Sequence, residues 1–455
     1  MSTAVVLFNR DLRVHDHPAL RGAVEASEFV VPLFVLDDDI LQSDYARPNR
    51  LAFLLDCLRD LRAALRDRGG DLFVRSGEVV AETMAVVHAT GAQALWVSED
   101  YSSYARLRQR RLEDACARGG IELAMCPGAT VIEPGAIVPT GGDHFKVFSP
   151  YSRRWSALPP RPLLRAPQRM AVPSGLRRGR LPSLSSLVRG AVSPALAAGG
   201  ESEARRRLGR WLRSSLEGYG DHHDDLSGDK TSRLSPYLHF GCISPVEAVA
   251  RAAGNPGAEP FVRQLCWRDF HHQVLAAAPT LPRADYRPRG HRWRDDPEGL
   301  QAWKEGRTGV PIVDAGMRQL AREGFMHNRA RLVTASFLTK DLYIDWRLGA
   351  AHFWDLLADG DIANNAGNWQ WVAGTGNDTR PNRRFNPIRQ AHRFDPEGDY
   401  VRRYLSELSG INGAAVHEPW RLAKVKRAAL DYPPPIVDHD EAGERFREIR
   451  GLRNQ

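Results

Sequence analysis

The first 130 residues alternate short, almost wholly apolar runs with longer stretches in which apolar residues recur at helical spacing. The runs TAVVLF, FVVPLFVL, DLFVRSG, ALWVSED and IELAMC predict five strands. Between them, NRLAFLLDCLRDLRAALRDRGG, EVVAETMAVVHATGAQ and YARLRQRRLEDACARGG show the helical pattern and end near glycine, which favours a helix C-terminus. This alternation predicts a parallel, Rossmann-like sheet with helices on both faces. No G-x-G-x-x-G follows the first strand, which disfavours a dinucleotide dehydrogenase.

The pattern changes twice after residue 130. Residues 131–200 are rich in Pro, Gly, Ser and Arg, and LPPRPLLRAPQRMAVPSGLRRGRLPSLSS cannot sustain a periodic element, so we interpret them as a surface linker. From residue 201 helical periodicity dominates, in segments such as EARRRLGRWLRSSLEGY and NRARLVTASFLTKDLYIDW. The sequence therefore predicts an α/β domain over 1–130, a linker over 131–200 and an all-α domain over 201–455.

Composition and charge narrow the class of protein. No apolar run is long enough for a membrane helix and the N-terminus has no signal-peptide pattern, so we expect a cytoplasmic protein. Lys and Arg outnumber Asp and Glu by 63 to 55, which fits a polyanionic partner such as DNA, although a GC-rich genome would also enrich arginine. The cysteines are scattered without a C-x-x-C pair, which argues against disulfides and against a zinc site: Cys57, Cys116, Cys126, Cys242 and Cys266.

The segment DGDIANNAGNWQW, residues 359–371, is too polar for an ordinary core. A buried carboxylate needs a partner, and Arg331, in the preceding helical segment, is the predicted partner of Asp359. Asp361 then stays free to accept a ring N–H from a ligand. Asn365 lies one helical turn further on and would project from the same side.

Two other segments supply groups suited to a flat ligand that carries phosphates. In GDKTSRLSPYLHFGCIS, hydroxyl side chains surround a predicted helix start with Pro236 in its first turn, and either an anion cradle or an ordinary N-cap would explain them. In FVRQLCWRDFHHQVL, an amide, an indole and a guanidinium share one helix face. Trp267 could equally be plain core and Arg268 a surface ion-pair partner.

Because of these segments taken together, the chain resembles the photolyase/cryptochrome flavoproteins over essentially its full length. The matching stretches are FNRDLRVHDHPAL, TSRLSPYLHFG, QLCWRDF, GVPIVDAGMRQL, MHNRARLVTASFLTKDLYIDW, DGDIANNAGNWQW, FNPIRQAHRFDPEGDYVRRYL and DYPPPIVDH. The nearest type is the actinobacterial class I cyclobutane pyrimidine dimer photolyase, which shares WVAGTGNDTRPNR. The resemblance implies an all-α FAD-binding domain, a DNA substrate, and light-driven dimer repair by electron transfer from excited reduced FAD.

The resemblance also implies roles for individual residues. Asp361 would bond the edge of the flavin, and Asn365 would face flavin N5. Arg331 with Asp359 would brace the DGD…NN segment that contains Asp361 and Asn365. The other residues implied to contact FAD are Tyr219, Thr231, Ser232, Arg233, Leu234, Ser235 and Arg268. An electron-hopping chain is implied for Trp369, Trp346 and Trp293, whereas Trp303 and Trp354 are expected to be core.

A second implied set of residues would contact the dimer or its DNA. Trp267 and Trp371 would cradle the flipped-out dimer, and the RPNRR run from Arg380 would hold phosphates. The full set is Gln264, Trp267, His271, Asn328, Arg329, Leu332 and Trp371. His223 stands where relatives often carry Arg.

Two positions depart from the class I pattern and keep other functions open. Gln264 stands where Glu is common, and Leu332 where Met is common. Because Gln at this place also occurs in (6-4) photolyases and animal-type cryptochromes, a (6-4) photolyase, a cryptochrome-like blue-light sensor and a flavoprotein that has lost repair remain alternatives. MHNR, in place of a histidine pair, and the short C-terminal stretch FREIRGLRNQ favour dimer repair, with reduced efficiency because Gln264 lacks a negative charge.

The resemblance implies a light-harvesting antenna chromophore in the N-terminal domain. Relatives that bind a folate carry Asn–Glu where this chain has Tyr104–Ala105, so an 8-hydroxy-5-deazaflavin is preferred, with an empty site as the alternative. The residues expected around it are Arg10, Phe34, Asp37, Arg50 and Asp100. We expect a monomer with no metal site and no membrane contact.

Overall fold

The computed structural model describes residues 2–452 and contains the parallel sheet that the sequence predicts. Its strands stand in the order β3-β2-β1-β4-β5, and every neighbouring pair is parallel. The strands are β1 Thr3–Phe8, β2 Phe29–Asp37, β3 Phe73–Gly77, β4 Ala94–Ser98 and β5 Glu122–Cys126. All six residues of β1 are buried, as expected for a central strand that is covered on both faces.

Helices connect the strands and cover the sheet. They are α1 Pro18–Ala26, α2 Asp38–Leu41, α3 Pro48–Arg66, α4 Val79–Thr90 and α5 Ser103–Gly119. Gly91 and Gly120 end α4 and α5 in the left-handed conformation, which confirms the predicted glycine C-caps. The chain order reverses direction between β1 and β4, so the loops after these two strands border the crevice where such sheets bind ligands.

The predicted linker contains one helix that the sequence analysis missed. Helix α6, Phe148–Ser156, buries Phe148, Tyr151 and Trp155, which are spaced along one helical face. Pro150 concealed it, although proline is tolerated in the first turn of a helix. From residue 158 to residue 200 the linker has one short 3₁₀ turn, Leu184–Ser186, and is otherwise irregular.

The second half is all-helical, as predicted. Its helices are α7 Glu201–Ser214, α8 Tyr219–His222, α9 Ser235–His239, α10 Pro245–Ala252, α11 Ala258–Ala277, α12 Pro297–Glu305, α13 Pro311–Glu323, α14 Asn328–Ser336, α15 Trp346–Leu356, α16 Ile362–Ala373, α17 Pro387–Phe394, α18 Asp399–Tyr404, α19 Lys424–Ala428 and α20 His439–Ile449. The predicted long helix through MHNRARLVTASFLTKDLYIDW was wrong. The chain leaves α14 through the π turn Phe337–Asp341, and α15 starts anew at Trp346, capped by the side chain of Asp345.

The two halves meet along a close backbone seam. The N–H of Leu12 donates to the carbonyl of Phe240 at 3.1 Å, and a Cβ at position 241 would lie 2.0 Å from the carbonyl oxygen of Arg10. Gly241 has a φ of +65°, so both its conformation and its surroundings require glycine. One hydrophobic core also crosses the seam, where Phe53 packs on Tyr237 and Phe240 with ring centroids 5.1 and 5.2 Å apart.

The described part of the chain, residues 2–452, contains no helix that is both long and apolar enough to cross a bilayer. The C-terminal stretch FREIRGLRNQ favours dimer repair over a sensor in the sequence analysis, and its last three residues lie outside that described part.

Candidate functional site

Asp361 caps the N-terminus of α16 and pairs with a residue of the other half of the molecule. Its Oδ1 accepts from the backbone N–H and the side-chain amide of Asn364 at 2.9 and 2.8 Å, while Oδ2 lies 2.5 Å from Nη2 of Arg10. Burial works to raise the pKa of Asp361, but the His272 ring and the Arg10 guanidinium outweigh it and hold that pKa well below its usual value. Asp361 was expected to be free for a ligand, but each of its oxygens already has a protein partner. Since a carboxylate oxygen can accept a second hydrogen bond, the bond to a ring N–H stays a prediction.

The predicted ion pair between Arg331 and Asp359 forms. Nη2 of Arg331 lies 2.8 Å from Oδ2 of Asp359, and its Nε donates to the carbonyl of Met326 at 2.8 Å. The other oxygen of Asp359, Oδ1, is buried without a hydrogen-bond partner. An unpaired buried carboxylate oxygen is costly in isolation, so this atom suits an N–H or O–H group of a bound ligand.

Asn365 and Gly367 face neighbouring helices from the middle of α16. The Asn365 amide donates to the carbonyl of Ala350 on α15 at 3.2 Å. Gly367 lies against His271 on α11, since a Cβ at position 367 would fall 2.2 Å from Nδ1 of that ring. Glycine at position 367 therefore allows the close approach of α11 and α16, two helices that carry predicted flavin and dimer contacts.

Helix α11 presents the predicted group of Gln264, Trp267, Arg268 and His271. Gln264 is exposed, and the half-buried Trp267 is stacked on Phe148 of α6, with ring centroids 3.6 Å apart and planes 4° from parallel. Arg268 is bonded to the carbonyls of Ala129 and Leu238, and burial lowers its pKa from the usual value. Trp267 is thus neither free nor ordinary core, because one face is covered and part of the ring reaches solvent.

Three buried histidines surround the carboxylate of Asp361. His272 and His239 lie 3.6 and 3.8 Å from its Oδ2, and His271 is on the same helix as His272. Burial lowers the pKa of His239 and His271 to about 4 and that of His272 to about 3, so all three are neutral at pH 7. The sequence analysis missed His239 and His272, although both lie inside the segments SPYLHFG and WRDFHH that it singled out.

Several polar atoms in this region are buried without protein partners, which tests whether the residues fit FAD. They are Oδ1 of Asp359, Nδ1 of His271, and both ring nitrogens of His272. Buried polar atoms nearly always form hydrogen bonds, and the isoalloxazine ring offers both N–H donors and carbonyl acceptors. The residues present therefore fit the flavin that the sequence predicts.

The residues around the start of α9 that are predicted to contact FAD differ in their surroundings. Helix α9 starts at Ser235 with Pro236 in its first turn, as expected, but Leu234 occupies the N-cap and no side chain caps the helix. Thr231 and Ser232 are half-buried just before it. Arg233 is ion-paired with Asp229 and Glu323 at 2.7 and 2.8 Å. Tyr219, at the start of α8, packs edge-on against Trp211.

The three tryptophans predicted to carry electrons all lie in the helical half, and the electron path through them stays a prediction. The ring of Trp369 faces Gly349 of α15, where a Cβ would fall 2.2 Å from it, and Trp346 stands one turn earlier on that helix. Trp346 is fully buried, whereas the half-buried Trp293 packs beside Tyr343 at 5.1 Å.

The two tryptophans expected to be core differ in their surroundings. Trp303 is completely buried and donates to the carbonyl of Thr334 at 3.0 Å, as expected for core. Trp354 is half-buried and lies at the seam, where its ring meets Tyr45 and the Arg50 guanidinium.

The residues predicted to contact DNA lie on several helices near α16. Trp371 packs beside Phe385, and Arg383 of the RPNRR run lies over its ring at 5.4 Å. Arg329 is ion-paired with Asp224, so its guanidinium already has a protein partner. Asn328 begins α14, Leu332 is half-buried on the same helix, Arg380 is exposed, and His223 bonds to the carbonyls of Tyr219 and Gly220.

The predicted antenna residues lie at the carboxyl edge of the sheet but do not form one group. Arg10 and Asp100 face the helical half. The Arg50 guanidinium donates to the carbonyls of residues 44, 45, 354 and 357 and lies over the rings of Tyr45 and Trp354. Phe34 is buried within β2. Asp37, at the end of β2, keeps Oδ2 buried without a partner, as do Nε of Arg108 and the hydroxyl of Tyr104 on α5. The sequence analysis missed Arg108.

Comparison with known proteins gives consistent results. Two family models match the chain, DNA photolyase over residues 4–169 and the FAD binding domain of DNA photolyase over residues 261–450. A deoxyribodipyrimidine photo-lyase of Streptomyces griseus is 54% identical, across 99% of this chain and 100% of that protein. A class III photolyase structure from Agrobacterium tumefaciens has a TM-score of 0.93 at 32% identity, covering 99% of this chain and 97% of that one. A photolyase from Sulfolobus tokodaii, solved with two FAD molecules, has a TM-score of 0.85 at 30% identity, and the alignment covers 99% of each chain.

Proposed function

The chain belongs to the DNA photolyase family, and on that premise we propose that it repairs cyclobutane pyrimidine dimers in DNA with light absorbed by bound FAD. The observation that carries the proposal is the set of buried, unpartnered polar atoms on α11 and around Asp359, beside a half-buried Trp267 held flat against Phe148. The chemistry that bound, reduced FAD supplies is light-driven donation of one electron to the dimer, which returns after the ring has split.

The residues of the helical half hold the flavin in a fixed polar environment. Oδ1 of Asp359, whose other oxygen is paired with Arg331, would accept an N–H from the ligand. The Asn365 amide, anchored on α15, would face the flavin, and an amide can serve either protonation state of N5 because it both donates and accepts. The Arg268 guanidinium adds positive charge, which favours the reduced cofactor.

The substrate is recognised outside the helical core. Trp267, braced by Phe148, offers one face to a flipped-out dimer, and Trp371 on α16 offers the second wall. Gln264, exposed one turn before Trp267, bonds the edge of a thymine. The exposed Arg380 and Arg383 hold backbone phosphates. The protein would act on DNA as a monomer in the cytoplasm.

For the antenna, we propose an 8-hydroxy-5-deazaflavin at the carboxyl edge of the sheet. Support comes from the buried, unpartnered atoms of Asp37, Tyr104 and Arg108, with the Arg108 guanidinium 5.7 Å from the Tyr104 ring. Chromophores released by denaturing the purified protein can be identified by mass spectrometry. A deazaflavin is expected, whereas two FAD molecules per chain would assign the second-flavin arrangement instead.

Repair itself is tested by illuminating the reduced, purified protein with an oligonucleotide that contains one thymine dimer. The return of thymine absorbance is expected in the light and not in the dark. Return of absorbance with a (6-4) lesion, but not with the dimer, would reassign the substrate. A protein that binds FAD but repairs neither lesion would support the sensor or the loss of repair.

A further inference from the structure

One arginine of the N-terminal half bonds three groups at the crevice between the halves. Arg10 follows β1 by two residues, and its Nη2 lies 2.5 Å from Oδ2 of Asp361. Its Nη1 lies 3.4 Å from Oδ2 of Asp100, which follows β4, and its Nε donates to the carbonyl of His239 at 2.9 Å. Arg10 therefore joins both loops at the reversal point of the sheet to the N-terminus of the predicted flavin helix.

Opposite charges face each other throughout this cluster. Arg10 pairs with both Asp100 and Asp361. Arg268 lies 3.8 Å from Asp269, and Arg108 adds positive charge near Asp100. Burial lowers the pKa of His239 and His272, which keeps both rings neutral at pH 7. Removal of one charged side chain therefore changes the net charge of this buried region by one unit. Such a change acts on anything bound nearby, and a flavin gains negative charge when it is reduced.

We propose that Arg10 is a positioning residue for the flavin site. Arg10 holds the Asp361 carboxylate in place, and the ion pair of Arg10 with Asp100 changes the strength of that interaction. This inference rests on the proposed FAD site and adds to it a residue from the other half of the molecule. Arg10 acts through Asp361, whose Oδ1 holds the first turn of α16. Asp100 and Asp361 share the guanidinium of Arg10. A ligand that binds Asp100 therefore changes the strength of the Arg10–Asp361 ion pair. This couples the edge of the sheet to the flavin site.

A matched control separates this role from general loosening of the seam. Arg47 also joins the two halves, because its Nε lies 2.7 Å from Oδ1 of Asp355 on α15. That pair is largely exposed, with side chains 31% and 47% accessible, and none of its recorded partners belongs to the flavin site. The variants Arg10→Gln and Arg47→Gln thus each remove one arginine that joins the halves.

The experiment measures FAD affinity and flavin midpoint potential in full-length Arg10→Gln, Arg10→Lys, Asp100→Asn and Arg47→Gln proteins. For Arg10→Gln we expect at least tenfold weaker FAD binding and a lower potential, since the buried region loses one positive charge. Lysine should restore part of both properties. Asp100→Asn should raise the potential because the region loses one negative charge, and Arg47→Gln should stay within twofold of the unmodified protein in FAD affinity.

Equal loss of FAD affinity in Arg10→Gln and Arg47→Gln would overturn the inference, as would shifts of the same sign in Arg10→Gln and Asp100→Asn. If Arg10→Gln does not fold, the Asp100→Asn potential decides, and an unchanged or lower value counts against the inference. Failure of the proposed function is distinguishable: an unmodified protein that binds FAD but repairs no dimer refutes dimer repair while leaving these FAD measurements valid, and an unmodified protein that binds no FAD removes the proposed site itself.

Discussion

Replacement of Gly367 by alanine sets two opposing effects of known size against each other. Alanine in place of glycine within a helix stabilises it by about 1 kcal/mol. The added Cβ, however, would lie 2.2 Å from Nδ1 and 2.7 Å from Cε1 of His271. That ring is buried, with Trp267 and Phe270 at centroid distances of 5.8 and 5.7 Å, so it has little room to retreat.

Forced overpacking of a core costs about 1–3 kcal/mol, so the clash should outweigh the helix gain by about 1 kcal/mol. For the helical half, residues 201–455, this lowers the melting temperature by about 2 °C. Because α11 and α16 also hold the flavin site, FAD affinity should fall about fivefold for the same free energy. Thermal unfolding monitored by circular dichroism and FAD titration of the apoprotein measure the two effects.

Gly209→Ala is the matched control, because it adds the same methyl group to α7. Its nearest neighbours are the ends of two flexible arginines, Arg251 at 3.1 Å and Arg213 at 3.6 Å, which can move aside. This variant should be at least as stable as the unmodified protein and should bind FAD equally well. If Gly367→Ala matches Gly209→Ala in both assays, the reasoning from the helix contact is refuted.

Three further predictions follow from the site and its charges. Arg331→Met should destabilise the protein by about 3 kcal/mol, since it leaves Asp359 buried without its cation; a melting temperature within 2 °C of the unmodified protein, roughly the shift for 1 kcal/mol, would contradict this. Gln264→Glu should raise the dimer-splitting yield per absorbed photon by restoring a negative charge beside the dimer, and equal yields would count against that role. Stability should fall between pH 6.5 and 4, because six buried or half-buried histidines have a pKa lowered from 6.5 to about 4 or 3 and resist the protonation that unfolding permits: His239, His271, His272, His291, His327 and His352. Three buried carboxyls with pKa raised to about 6 oppose this trend, but the histidines outnumber them: Asp269, Asp314 and Asp395. Melting temperatures at pH 7.5 and 5.5 at constant ionic strength test this, and a flat or rising profile towards acid would contradict it.

Much of the fold could be predicted because the apolar pattern and the glycines at helix ends agree with the secondary structure that the fold adopts. The apolar runs give all five strands within two residues at each end, and Gly91 and Gly120 mark helix ends as expected. The π turn after α14 could not be predicted, since helical apolar spacing continues through Phe337–Asp341 while only the hydrogen-bond register changes. Helix α6 was hidden by its proline.

An ion pair within the helical half could be predicted from the sequence, whereas an ion pair between the two halves could not. The pair Arg331–Asp359 followed from the cost of an unpaired buried carboxylate. The pair Arg10–Asp361 joins residues 351 positions apart, and no local pattern brings β1 to α16. Asp361 was expected to be free for that reason, although tertiary contact gives it a cation from the other half.

The Phe148–Trp267 stack makes the connector between the halves a structural part of the proposed dimer-binding site. Chimeras that exchange domains between relatives should therefore keep α6 with the helical half and place the junction before it, between the end of β5 and residue 148. A crossover placed after α6 would combine Phe148 of one parent with Trp267 of the other, and altered lesion preference would then reflect the position of the junction rather than either domain.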